Sequence, residues 1–294
     1  MRASTPPVII IGMHRSGTSL LTRVLQANGF FMGRGASRNE EAAFTNAINA
    51  WVFKQASATW DRPDSMEELL ADEELLPWLL DYIGGIVRGP ASLRFLGRRW
   101  RPGGMAAQSS PWGWKDPRNT WTLPLWLEIF PEARVLHIVR HGVDVAESLR
   151  SRRQRAVRGN LTRYRRRRVI YRNSPFAPKR RGLGSQMACR TLEGGFALWQ
   201  QYLQRADEQT SALGERAMTI RYEDLLIRPR QELERALFFC GITPSVDELV
   251  RTASTFRADR AHAWRKDDEL RAFAASRVSD LASFGYVATD GEFR

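Results

Sequence analysis

The chain has 294 residues, 43% of them hydrophobic, enough for one large α/β domain or two small ones. No apolar run approaches the roughly 18 residues of a membrane span, the N-terminus enters a strand at Val8 rather than a secretory apolar segment, and Cys189 and Cys240 lie in no metal-type spacing, so a reduced cytoplasmic setting is expected. The net charge of +13 looks like a nucleic-acid signature, yet Arg150–Arg181 alone holds 13 Arg, one Lys and no acid, so the rest of the chain is near neutral.

Pro6-Pro7 precede an all-apolar run, Val8–Ile11, which suits a central parallel strand buried on both faces. A glycine turn follows, Gly12 to Gly17, and then a helical pattern with Leu20, Leu21, Val24 and Leu25, ending at Asn28-Gly29. Residues 39–58 read as helix, with Ala43, Phe44, Ala47, Ile48, Trp51 and Val52 on one side. Asp64 to Val87 reads as one or two helices opening on a capping signature, Asp64-Ser65-Met66-Glu67. Residues 88–111, rich in Gly, Arg and Pro, read as connection.

Trp112–Lys115 has the character of a short strand end, and Asn119–Phe130 that of a helix with Pro124 as a kink or late start. The second clear buried strand is Ala133–Val139, closed by Arg140-His141-Gly142; a helix from Val143 to about Arg153 leads into the arginine-rich segment. Gln186–Leu213 reads as helix, Met218–Tyr222 as a third strand, and Leu233–Cys240 and Val246–Ala253 as helices. The arginine-rich stretch, 150–185, reads as an insertion with the composition of a flexible segment, in a chain of a single domain over 1–294.

Strands alternating with helices imply a parallel sheet with ligands at the carboxyl ends of its strands. That rule puts Gly12–Ser19, Lys115, Arg140 and Tyr222 along one edge. The loop glycines have the spacing of the nucleotide P-loop, G-x-x-x-x-G-K-[ST], but Thr18 stands where the lysine belongs and the loop carries Arg15 instead. Backbone amides and a helix N-terminus still make an anion cradle. Arg140 ends the second strand where a magnesium-binding acid would stand, so no metal is expected. Two anion sites suit a nucleotide with phosphates at both ends of its ribose.

These residues together resemble the PAPS-dependent sulfotransferases. Gly12-Met13-His14-Arg15-Ser16-Gly17-Thr18-Ser19 is similar to the family's 5′-phosphosulfate loop, with His14 in place of the common Pro or Thr. Arg140 and Ser148, eight residues later, resemble its 3′-phosphate motif, with His141-Gly142 in place of Asp-Pro. Trp114-Lys115-Asp116-Pro117 resembles the Lys-x-Pro element, and Arg221-Tyr222-Glu223-Asp224-Leu225 the Tyr-Glu-Asp-Leu segment beside the adenine. Ala263-Trp264-Arg265-Lys266 matches a C-terminal basic motif loosely.

The resemblance implies an α/β, three-layer P-loop-like fold with a central parallel sheet flanked by helices. It implies transfer of a sulfuryl group from 3′-phosphoadenosine 5′-phosphosulfate (PAPS; product PAP) to a hydroxyl or amine of a small-molecule or glycan acceptor, without a metal. His14, Arg15, Ser16, Gly17, Thr18, Ser19, Arg140, Ser148, Tyr222 and Arg265 would bind the donor, with Arg15 and Lys115 stabilising transferred charge. Asn39-Glu40-Glu41-Ala42-Ala43-Phe44 resembles the Glu-x-x-Phe segment that carries the general base, which leaves Glu41 and Glu40 as candidates with Glu41 ahead. His137, inside a strand, reads as a satisfied core histidine, and Trp51, Trp60, Trp112 and Trp114 lie nearest the candidate residues in sequence. The competing readings are a P-loop kinase or NTPase and a protein binding a polyanion through its basic arm. On the leading reading nucleic acid is not the primary partner, and 150–181 offers a peripheral contact to an anionic membrane.

Overall fold

Four β-branched and apolar residues in a row fix the centre of the molecule: Val8–Ile11 (β1) is buried along its whole length. In the computed structural model, which describes residues 4–35, 37, 39–175, 183–289 and 292–293, β1 is flanked by Gly113–Lys115 (β2) and Arg134–Val139 (β3), and Ala217–Arg221 (β4) pairs with β3. All three pairings are parallel, in the order β2-β1-β3-β4. Ile10 lies level with Lys115 and Leu136, and Val139 with Arg221. The chain therefore leaves β1 to one side and returns to the other, which makes the carboxyl end of β1 the switch point of the sheet.

The helices, in chain order, are Thr18–Ala27 (α1), Ala43–Gln55 (α2), Ser65–Ala71 (α3), Leu75–Arg88 (α4), Leu93–Leu96 (α5), Asn119–Ile129 (α6), Gly142–Asn173 (α7), Leu192–Thr210 (α8), Tyr222–Ile227 (α9), Pro229–Phe239 (α10), Val246–Ala253 (α11), Asp268–Ala275 (α12) and Val278–Ser283 (α13). None is long and apolar enough to cross a membrane.

The chain forms two compact units. One takes the residues up to His141 with Gln201–Ala263, and holds the sheet. Alternation along the strands feeds both of its faces. Val8, Ile10, Leu136, Ile138 and Ile220 form one buried cluster with Leu21, Val24 and Leu25 of α1, Leu225 of α9 and Leu233 and Leu237 of α10. On the other face α6 closes on β1 through polar anchors: Asn119 Nδ2 donates to Ile10 O at 3.1 Å and Gly12 N donates to Thr120 Oγ1 at 3.1 Å. Helix, sheet and helix thus stack in three layers.

The other unit takes Gly142–Gln200 and the residues from Trp264. Its core gathers Val143, Val145, Ala146 and Leu149 of α7 with Phe196, Trp199, Phe273 and Tyr286. Trp264 N donates to Asp144 Oδ1 at 2.9 Å.

Several boundaries differ from the sequence reading, each for a local reason. α2 begins at Ala43, because Glu40 adopts a left-handed backbone (φ 61°) that no helix admits. Asp64 makes no side-chain cap; the capping carboxylate is Asp72, which accepts from Leu75 N at 2.9 Å and so separates α3 from α4. α6 runs through Pro124 without starting late. Residues 88–111 fold into short helical turns, anchored by buried Phe95, Leu96 and Met105. Tyr222 opens α9 and does not end β4. The helix expected to close near Arg153 continues to Asn173, since Arg has high helix propensity and no proline interrupts the run.

Candidate active site at the carboxyl edge of the sheet

The loop after β1 is shaped by backbone that only certain residues tolerate. Gly12 (φ 134°) passes so near Ile138 O that a Cβ would collide with it, and a Cβ at Gly17 (φ 99°) would strike the Tyr222 ring. Arg15 is also left-handed, at φ 74°. Alternating hands of this kind make the concavity in which backbone amides surround an anion. Gly17 caps α1 without a side-chain bond, and no acid lies in its first turn. The first backbone bonds of α1 are made by Leu20 and Leu21 to Gly17 O, so Thr18 and Ser19 begin the helix with the amides that such ends leave open. Ser16 is wholly buried, and its hydroxyl has no hydrogen-bond partner among the described residues. A buried donor left this way is costly unless a ligand accepts from it, so the loop fits a phosphate or sulfate oxygen.

Lys115 ends β2 and reaches this loop. Its side chain is 1% exposed, and Nζ stands 3.2 Å from Glu41 Oε1 and 3.4 Å from Ser19 Oγ, while also donating to Asn39 O. Ser19 Oγ donates to the same Asn39 carbonyl at 2.7 Å. Burial pulls the Lys115 ammonium below the ordinary lysine range, and Glu41 opposes that shift.

The structure separates the two glutamates. Glu41 is buried on Lys115, whereas Glu40 points to Arg23 at 3.8 Å on the surface. Glu41 Oε2 also accepts from Ser37 Oγ and Asn46 Nδ2, each at 3.3 Å. Asn46 then connects to a second carboxylate that sequence reasoning gave no role: Asp116, 1% exposed, accepts from Asn46 Nδ2 (3.4 Å), Asn49 Nδ2 (3.1 Å) and Arg118 NH2 (2.9 Å). The sign available in the sequence was Asp116 itself, an acid placed between a buried strand and a proline.

Arg140 follows β3. It donates to Arg15 O at 3.3 Å and lies over the Tyr222 ring at 4.7 Å. The next amide, His141 N, donates to the buried Glu223 Oε1 at 2.9 Å, which fixes the chain just after the arginine. Glu223 was missed as well, although it sits in the quoted Tyr-Glu-Asp-Leu segment. Loop, Lys115, Glu41, Arg140 and Tyr222 thus stand in the unit that carries the sheet. Ser148 and Arg265 belong to the other unit, Ser148 on α7 and Arg265 over its neighbour Trp264 at 5.6 Å.

His14 meets Trp60 edge-on, with centroids 4.4 Å apart. Trp112 and Trp114 are core residues, in an aromatic cluster with Trp126 and Phe130, and Trp51 rests on Tyr82. His137 is buried but not satisfied, for neither ring nitrogen has a hydrogen-bond partner among the described residues; burial lowers its pKa to about 4. Both cysteines are buried and neither forms a disulfide, and burial pushes the Cys240 thiol up to about 12. Among the described residues no group of three His, Cys, Asp or Glu side chains has metal-binding geometry.

A sulfotransferase-family profile matches residues 6–248. Among solved structures, the sulfotransferase domain of the Synechococcus PCC 7002 olefin synthase shares the fold, with TM-score 0.50 and 16% identity over 98% of each chain. A sulfotransferase of Alicyclobacillus acidocaldarius is 17% identical over 98% of each chain, with TM-score 0.45. STF9 of Mycobacterium avium is 14% identical over 97% of this chain and 78% of its own, with TM-score 0.46. No curated protein sequence matches. With a family profile spanning most of its length, the chain belongs to the sulfotransferase family.

Proposed function

We propose that this protein transfers a sulfuryl group from PAPS to a hydroxyl or amine of a carbohydrate or other small metabolite. The observation that carries the proposal is Lys115 Nζ, which stands at once on Ser19 of the anion loop and on Glu41, at 3.4 and 3.2 Å. On this reading one buried cation would lie between the site of the leaving phosphate and the carboxylate that takes the proton.

Ser16, Thr18, Ser19 and the amides around Gly17 would hold the 5′-phosphosulfate, and Arg140 the 3′-phosphate. Tyr222, against Gly17 and under Arg140, would border the nucleotide. His14, within the loop, would be a secondary contact. Ser148 and Arg265 keep a phosphate-binding assignment through the family resemblance alone. PAPS supplies the activated sulfuryl group.

Lys115 and Arg15 put positive charge where sulfuryl and leaving oxygens gain negative charge, as electrostatic stabilisation of a transfer requires. Glu41 takes the proton of the attacking acceptor. Its second oxygen, Oε2, is held by Ser37 and Asn46, so the carboxylate is oriented before substrate arrives. Glu40, paired with Arg23, takes no part.

The test is transfer from PAPS labelled in its sulfuryl group to a panel of sugar and phenol hydroxyls in the presence of a chelator. Label on an acceptor supports the reading. Absence of label from every acceptor, together with transfer from γ-labelled ATP once Mg²⁺ is restored, overturns it.

A further inference from the structure

The long helix α7 changes character at Arg150. Its first turns are buried through Val143, Val145, Ala146 and Leu149. From Arg150 to Asn173 it carries eleven arginines, no lysine and no acid. Arg150 is anchored by Glu147 at 2.6 Å and Glu269 at 2.6 Å, and Arg153 by Ser185 O at 3.0 Å. From Arg155 to Arg172 none of the eight arginine side chains makes an ion pair or hydrogen bond among the described residues.

A surface helix that is charged all round normally rests on acid–base pairs three and four residues apart, and like charges there repel. This one has no internal counter-charge over its outer turns. Its composition therefore calls for an external anionic surface.

A second pattern narrows the partner. Val157, Leu161, Tyr164, Arg168 and Tyr171 follow one another at alternating steps of four and three, so they form one line along the helix. The Tyr164 and Tyr171 rings lie parallel, 6.2 Å apart. Val169 and Ile170 are 66% and 67% exposed within the densest arginine run. A nucleic-acid groove would use the arginines but has no place for an aliphatic and aromatic line. A lipid headgroup layer uses both: tyrosines settle at the polar boundary, and arginines extend their stems toward the phosphates.

We propose that α7 beyond Arg150 is a docking surface for the anionic face of a lipid bilayer, with the helix lying along the surface. The inference is independent of the chemistry assigned to the sheet edge.

The test is co-sedimentation of the full chain with vesicles of phosphatidylcholine alone or with about one third phosphatidylglycerol. Two variants accompany it: R165Q/R166Q/R167Q/R168Q, and Y164S/Y171S, which keeps every charge. The expected result is binding to the anionic vesicles only, abolished at about 0.5 M salt. Binding should fall at least about tenfold in the arginine variant and several-fold in the tyrosine variant, while circular dichroism and stabilisation by 3′,5′-adenosine bisphosphate stay unchanged. Equal binding to neutral vesicles or none to anionic ones overturns the proposal. So does a preference for a 24-base-pair duplex (about the length of two turns) that ignores Y164S/Y171S. Should the arginine variant misfold, the tyrosine variant decides.

Discussion

Two regions hold most of this molecule's unusual charge, and they treat it in opposite ways. At the sheet edge Lys115, Glu41, Asp116 and Arg118 are buried or nearly so, and each is held by at least two polar neighbours. On outer α7 the arginines are exposed, and from Arg155 onward their side chains have no ion-pair or hydrogen-bond partner among the described residues. A buried charge must be matched or it destabilises the fold, so its geometry is fixed by the protein itself. An exposed charge is free to answer to something outside. The first region is therefore read as chemistry and the second as contact.

That comparison is broken most strongly at Glu41. Glu41→Gln should lower sulfuryl transfer by about 10²–10⁴ with bisphosphate binding kept, whereas Glu40→Gln should stay near wild type. Steady-state transfer to whichever acceptor the labelled panel identifies measures both, and equal losses would remove the distinction drawn from the Lys115 pair. Asp116→Ala should destabilise the fold by roughly 3–5 kcal/mol, since it leaves the part-buried Arg118 guanidinium without its carboxylate and takes one acceptor from each of the Asn46 and Asn49 amides. Urea unfolding reads that value, and a loss below about 1 kcal/mol would mean that the network relaxes without its centre.

His137 gives a pH signature. Burial holds its folded pKa near 4, below the ordinary 6.5, so the unfolded chain binds the extra proton first. Its contribution is complete above pH 6.5 and is lost as pH falls toward 4, amounting to about 3 kcal/mol. A His137→Leu variant should flatten stability against pH across that window. The smallest effect belongs to the outer helix: R165Q/R166Q/R167Q/R168Q should change unfolding free energy by less than about 0.5 kcal/mol.

The same contrast explains what the sequence made legible. The run Val8–Ile11, the positive-φ glycines 12 and 17, and strand-end Lys115 and Arg140 follow from local rules, and the structure places all of them on one edge. The partners of Asp116 were not legible, because Asn46 and Asn49 lie 70 and 67 residues away in sequence and meet it only after folding. Glu40 and Glu41 were read into a helix, yet the left-handed backbone of Glu40 turns the two carboxylates toward different partners. The outer arginines were read as an insertion from composition alone, although their helix propensity carries α7 through them to Asn173. Local pattern located the edge; long-range polar contacts decide which side chains meet there.

The most direct test is thermal stabilisation of the wild-type protein and of Arg140→Ala by 3′,5′-adenosine bisphosphate in chelator, against ATP with Mg²⁺. The account predicts metal-independent stabilisation by the bisphosphate, about 2.7 kcal/mol at a hundredfold excess over Kd. Arg140→Ala should weaken that binding by roughly 1.5–3 kcal/mol. Stabilisation by Mg·ATP alone, with none from the bisphosphate, would contradict the assignment of the loop and Arg140 to a nucleotide phosphorylated at both ends.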